Sequence, residues 1–142
     1  MLYDMNAGIN HIGVGCGAII INENDEVLLV KRSAQSRTEP EYWSRPGGEV
    51  DFGEAVEDAV VREVKEETSI NVEILKFLEI TQVLDDKKHW IALGYLARYL
   101  SGEVQNLEPE KHDAIKWFPL SQLPDKITSY TRNAITVHLQ SK

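Results

Sequence analysis

The chain is poor in sulfur and in basic residues. Cys16 is its single cysteine, so no disulfide framework can form within one chain, and a reducing cytoplasm is the expected location. Cys16 sits among glycines and aliphatics with no base nearby in sequence, and is assigned to packing rather than nucleophilic chemistry. No apolar run approaches the roughly 20 residues a bilayer span requires. The opening Met1-Leu2-Tyr3-Asp4 lacks the basic start of a secretory signal. Lys and Arg number 15 against 23 Asp and Glu, a formal charge of −8, which argues against a nucleic-acid-binding face. Internal repeats, low-complexity tracts and interdomain linkers are also lacking. A single domain over residues 1–142 is therefore expected, with an ordinary hydrophobic content of 42%.

Acidic residues, by contrast, are abundant and patterned. From Gly48 to Ile70, glutamates surround one arginine in a fixed rhythm. At about 100° per helical residue, Glu63 and Glu67 fall about 40° apart, with Glu66 on the flank. Val56, Ala59, Val60 and Val64 share that broad side, so two carboxylates lie on an apolar arc. Like charges buried side by side are unfavourable, and the usual remedies are protonation or a bound cation. Clustered carboxylates with room for water and phosphate oxygens suit Mg²⁺. Pro46-Gly47-Gly48 reads as a tight turn where a ligand can reach the backbone. Arg62 can orient a carboxylate or a phosphate oxygen through its planar fork. A solvated helix with Arg62–Glu66 or Asp58–Arg62 pairs is the plainer reading of such charges. The spacing from Gly48 through Glu54 to Arg62-Glu63 and Glu66-Glu67 favours the site.

That stretch resembles the Nudix box, G-x5-E-x7-R-E-U-x-E-E-x-G-U, where U is aliphatic. Gly48, Glu54, Arg62, Glu63, Val64, Glu66, Glu67 and Ile70 match, and Ser69 stands where the family has glycine. A Trp-x-x-Pro-Gly-Gly entry at Trp43 to Gly48 is similar to MutT-like members, as is Trp-Phe-Pro followed by Leu-Pro near the C-terminus. The resemblance implies an α/β/α sandwich with a mixed central sheet. It also implies hydrolysis of a nucleoside diphosphate linked to another group. Under it, Glu63, Glu66 and Glu67, with the Gly47 carbonyl, are the expected Mg²⁺ ligands, and Mn²⁺ is a substitute ion. Glu63 or Glu66 is the expected general base, held by Arg62. On a helical wheel Glu54 falls opposite the ligands, so a structural bond to the preceding loop is expected of it; Gly48 is likewise a motif residue. Homodimers are common in the family.

Substrate markers outside the box are fewer. The ADP-ribose class tends to have proline where this chain has Asp85. The dinucleoside polyphosphate class tends to have tyrosine where Asp86, Lys87 and Lys88 stand. Asn106 to Lys111, followed by Ile115-Lys116-Trp117-Phe118, looks like MutT-like nucleoside triphosphate pyrophosphatases, which release pyrophosphate and a nucleoside monophosphate. An ADP-ribose or other nucleoside diphosphate-X hydrolase is the alternative, and a nucleotide-binding regulatory module the non-enzymatic one. Trp90, Tyr95, Trp117 and Phe118 are candidate stacking partners for a base, and Asn106 and Glu108 candidate polar contacts. Glu108 could instead bind a further metal. His11, His89, His112 and His138 have no metal-ligand spacing and are treated as incidental.

Coarse periodicity places strands at Ile12 to Ile21, Val27 to Lys31, Val72 to Leu84, His89 to Leu100 and Ala114 to Phe118. Gly13, Gly15 and Gly17 are expected to admit a ligand or another strand close to the first strand. Ser33 to Tyr42 is polar and reads as a lid or specificity loop. Ser129 to Gln140 reads as a helix, with Tyr130, Ala134, Val137 and Leu139 in its rhythm.

Overall fold

The computed structural model describes residues 6–141, and Met1-Leu2-Tyr3-Asp4 lies outside them. The element order is β1 (Gly13–Ile21), β2 (Glu26–Arg32), β3 (Trp43–Ser44), β4 (Gly47–Glu49), α1 (Val56–Thr68), β5 (Asn71–Leu84), β6 (His89–Ser101), β7 (His112–Pro119) and α2 (Ser129–Gln140). Seven strands form one sheet with the path β3-β2-β1-β6-β5; β4 also joins β1, and β7 joins β2. The β1–β6 pair is parallel and the other strand pairs are antiparallel, so the sheet is mixed. No described helix is long and apolar enough to cross a membrane.

Successive strand residues point to opposite faces, and each face is apolar enough to take a helix. Cys16, Ala18 and Ile20 of β1, Leu28 of β2, and Tyr95 and Ala97 of β6 pack with Ala59, Val60 and Val64 of α1. Ile19, Val27, Leu29, Leu78, Leu96 and Phe118 pack on the other face with Ala134 and Ile135 of α2. This is the expected three-layer α/β/α sandwich. Ile19, Ile20, Leu28 and Leu29 are fully buried, each burial being worth about 1.5–3 kcal/mol. Truncating Ile20 to alanine would cost about 2–5 kcal/mol.

Expectations change at β4, in α2 and at Glu54. Pro46-Gly47-Gly48 is not a tight turn: Gly47–Glu49 is strand β4, with Gly47 opposite Gly17 and Gly48 opposite Cys16. Glycine is required at Gly47 because a Cβ there would strike the Cys16 carbonyl, while one at Gly17 would meet Arg45 Nε at 2.7 Å. The glycines thus admit another strand. In α2 the buried residues are Thr131, Ala134, Ile135 and His138, whereas Leu139 is exposed. Polar residues on the buried face shifted the apparent apolar rhythm.

Helix α1 starts only at Val56, so Glu54 belongs to the preceding loop and the helical-wheel argument does not apply to it. Its end is closed by Ser69 in the left-handed conformation, φ 69°, whose N–H donates to the Lys65 carbonyl at 3.0 Å. The serine holds the turn that the motif assigns to glycine, at a cost on the order of 1 kcal/mol. Carbonyls at a helix end lack intrahelical donors. Gln105 N–H donates to the Thr68 carbonyl at 3.0 Å and Leu107 N–H to that of Glu67 at 3.1 Å. The loop before β7 is thereby fastened to the last turn of α1.

Candidate active site

Arg62 organises the acidic face. Its Nε and Nη2 grip Glu54 at 2.7 and 2.9 Å, and Nη1 reaches Glu63 at 2.9 Å and Glu66 at 3.1 Å. Nη2 also donates to the Glu49 carbonyl at 3.1 Å. Glu54 further accepts from Asp51 N–H at 3.1 Å, tying the loop before α1. The Arg62 hydrogen bonds hold the Glu54 carboxyl down at about 2. Arg62 is therefore a charged clip that fixes helix, loop and β4 together.

Glu67 sits deeper. It is 3% exposed and accepts from Gly47 N–H at 3.1 Å. Burial, with Glu63 and Glu108 nearby, pushes its pKa up to about 8. Burial also raises Glu63 above the usual carboxylate range, against the pull of Arg62. The Glu63 carboxylate lies against Gly48, where a Cβ would collide with it. Glu66 has a half-exposed side chain and is paired with Arg62.

His112, expected to be incidental, lies at this site. Its Nε2 is 3.6 Å from Glu67 Oε1, too long for a hydrogen bond. Burial lowers its pKa to about 4, so the ring is neutral. Glu67, Glu108 and His112 each offer a ligand atom, all within 4.8 Å of one another. Burial favours the uncharged form of both groups, and a dication would favour the carboxylate beside a neutral ring. The carboxylates of this set fit Mg²⁺ or Mn²⁺.

Two clefts meet here. One, about 550 Å³, is lined by Glu63, Glu67, Glu108 and His112, among others. The other, about 580 Å³, is lined by Arg32, Arg37, Arg45, Lys88, Trp90 and Tyr130, among others. Arg32, Gly47, Gly48, Glu49, Glu67 and His112 border both. Glu66 borders neither.

The expected substrate contacts divide. Trp90 lines the second cleft, its indole filling the space beside Gly13 where a Cβ would come within 2.6 Å. Glu108 stands beside Glu67. Asn106 lines neither cleft; its Nδ2 donates to the His112 carbonyl at 2.8 Å and so braces that residue. Trp117 is a packing residue, edge-on to Tyr99 at 6.1 Å beneath α1. Phe118 stacks edge-on to Trp43 at 4.8 Å, and Tyr95 is in the α1-side core. Cys16 is buried, its thiol pushed up to about 11 by burial, consistent with packing. His11, His89 and His138 border neither cleft.

Sequence reasoning missed Arg32, Arg45 and Tyr130. Arg32 donates to the Thr38 carbonyl at 2.9 Å, to Ser36 at 2.7 Å and to Tyr130 at 3.3 Å, fastening the Ser33 to Tyr42 loop. Arg45 forms a buried ion pair with Glu79 at 2.8 Å. The Arg32–Tyr130 and Arg45–Glu79 partners lie far apart in sequence, and no local spacing announces them. For His112, the Glu108-x-x-x-His112 spacing was the available signal.

A three-layer sandwich with a glutamate-rich helix beside a two-part cleft defines the class. The NUDIX domain model matches residues 11–137, and the chain belongs to the Nudix family. The NAD-capped RNA hydrolase NudC of Pseudomonas aeruginosa is 38% identical over 106 residues, covering 75% of this chain and 36% of that protein. A putative 8-oxo-dGTP diphosphatase of Bacillus subtilis is 38% identical over 112 residues, covering 78% and 68%. The crystal structure of a MutT Nudix hydrolase from Burkholderia pseudomallei superposes with TM-score 0.80 at 41% identity, covering 87% and 95%. The chain spans little more than a third of the length of its plant and pseudomonad relatives.

Proposed function

We propose that this chain is a single-domain Mg²⁺-dependent Nudix pyrophosphohydrolase that cleaves a nucleoside triphosphate to the monophosphate and pyrophosphate. The observation that carries the reading is buried Glu67 beside Glu63 at the junction of the two clefts. Glu63, Glu67 and Glu108, with the Gly47 carbonyl, would hold the ion, and Glu66 serves Arg62. The ion supplies Lewis acidity toward the phosphate oxygens and lowers the pKa of water. Glu63 accepts the proton of the attacking water, and Arg62 fixes that carboxylate through one oxygen. Arg32, Arg37 and Lys88 offset the chain's negative charge for an incoming polyphosphate. Trp90 gives the base an aromatic face.

The name of the B. subtilis relative, a putative 8-oxo-dGTP diphosphatase, supports the triphosphate. A panel of nucleoside triphosphates and ADP-ribose, assayed with Mg²⁺ for released products, tests the choice. Higher kcat/KM on a triphosphate, with pyrophosphate as product, is expected. Equal or better turnover of ADP-ribose would overturn it.

A further inference from the structure

The turn from Glu108 to His112 places an imidazole on the metal side of the cleft. Lys111 N–H and His112 N–H both donate to the Glu108 carbonyl, at 2.9 and 3.0 Å, which folds the glutamate back beside the histidine. Leu107 N–H holds this segment to the Glu67 carbonyl. Asn106 Nδ2 donates to the His112 carbonyl at 2.8 Å. The turn is thus fastened to the same helix end that carries Glu67.

The ring itself is unusual. His112 is 9% exposed, its ring nitrogens make no hydrogen bond that the structure records, and Nδ1 is buried without a partner. Buried imidazole nitrogens ordinarily find partners, since leaving one unmade costs about 1–3 kcal/mol. Its Nε2 faces Glu67 at 3.6 Å. Metal bonds of about 2.0–2.2 Å allow ligand atoms up to about 4.4 Å apart. Only atoms on opposite sides of an ion reach that limit, and adjacent ones sit about 3.0–3.5 Å apart. The Glu67–His112 pair, at 3.6 Å, needs to close by only a few tenths of an ångström, and all three ligand atoms lie within 4.8 Å of one another.

We propose that His112 joins Glu67 and Glu108 as a nitrogen ligand, giving this chain a mixed-donor site that prefers Mn²⁺ or Co²⁺ to Mg²⁺. Carboxylates alone suit Mg²⁺, whereas an imidazole favours first-row transition ions. The proposal rests on the reading that the cleft holds a divalent ion. It adds to that reading which ion is held more tightly and by which residue.

Two measurements test it. In the Mn²⁺-loaded protein, electron spin-echo modulation is expected to show ¹⁴N coupling from a directly bound imidazole. Bound Mn²⁺ without that coupling overturns the assignment. Calorimetric titration of wild type and His112→Phe with Co²⁺ and with Mg²⁺ gives the selectivity. The variant is expected to lose roughly tenfold or more in Co²⁺ affinity while its Mg²⁺ affinity stays within about twofold. Unchanged Co²⁺ affinity in a variant with wild-type circular dichroism overturns the assignment and leaves the Mg²⁺ reading standing. Wild type that binds none of the three ions, with or without nucleotide, overturns both.

Discussion

Arg62 holds Glu54 with two parallel hydrogen bonds, Nε at 2.7 Å and Nη2 at 2.9 Å, while its remaining nitrogen holds Glu63. One guanidinium therefore links the loop before α1 to the proposed base. Lysine has no fork and cannot make these contacts together. Arg62→Lys is expected to lower kcat by about 10–100-fold, the scale of lost ligand-orienting partners, with little change in KM. Both are read from steady-state kinetics, with a melting curve to show that the fold persists. Wild-type kcat would remove Arg62 from its positioning role.

The buried Glu67 makes the metal-free protein sensitive to pH. In an unfolded chain this group titrates near 4.5, against about 8 when folded. Between those values the folded state binds more protons, so stability is lost as pH rises. His112 has the opposite sign: its folded pKa of about 4 lies below the ordinary 6.5, so stability is lost as pH falls through that window. Of these two groups, only Glu67 titrates from pH 6.5 to 8. Metal-free stability is expected to fall across that interval by no more than about 1.4 kcal/mol per pH unit, and saturating Mg²⁺ to abolish the fall. Urea unfolding at several pH values checks this. A flat or rising profile in the metal-free protein would contradict the buried-carboxyl account.

The Arg45–Glu79 pair supports the floor of the second cleft. Its side chains are 3% and 6% exposed, and Glu79 also accepts from Asn133 at 3.1 Å and from the Thr81 hydroxyl. Gly94 leaves room for both charges, since a Cβ there would collide with them. Removing one partner strands a buried charge, which costs about 3–5 kcal/mol. Glu79→Ala is expected to lose stability on that scale, and KM is expected to rise because Arg45 lines the cleft. Denaturant unfolding with kinetics below the midpoint separates the two effects. A loss under about 1 kcal/mol would show that Arg45 finds another partner or water.

How far the sequence could be read follows from the range of each interaction. Helix α1 and its carboxylates were legible because the motif is local and periodic. Strands β1, β2, β5, β6 and β7 were visible as aliphatic runs, to within a residue or two at most ends. Strands β3 and β4 were not, since two or three residues carry no periodicity and the glycines of β4 imitate a turn. Helix α2 was found, but Thr131 and His138 on its buried face displaced the predicted one. Of the motif residues, Arg62 pairs with Glu54 and Glu63, and Glu67 is buried, while Glu54 precedes the helix. Trp117 and Trp90 looked alike in sequence; only the pairing of β7 with β2 and of β6 with β1 sends one into the core and the other to the cleft. The Glu108-x-x-x-His112 spacing hinted at His112, but its approach to Glu67 depends on a loop fastened to a helix end.

Under the proposed function, Glu67 and its neighbours grip a divalent ion at the cleft junction. Isothermal titration of Mg²⁺ into wild type and Glu67→Gln, each with a non-hydrolysable triphosphate analogue, tests this most directly. Glutamine keeps the volume and removes the charge, so the variant is expected to fold and to lose Mg²⁺ binding by roughly tenfold or more. Wild-type Mg²⁺ affinity in Glu67→Gln, or no Mg²⁺ binding in the wild type, would contradict it.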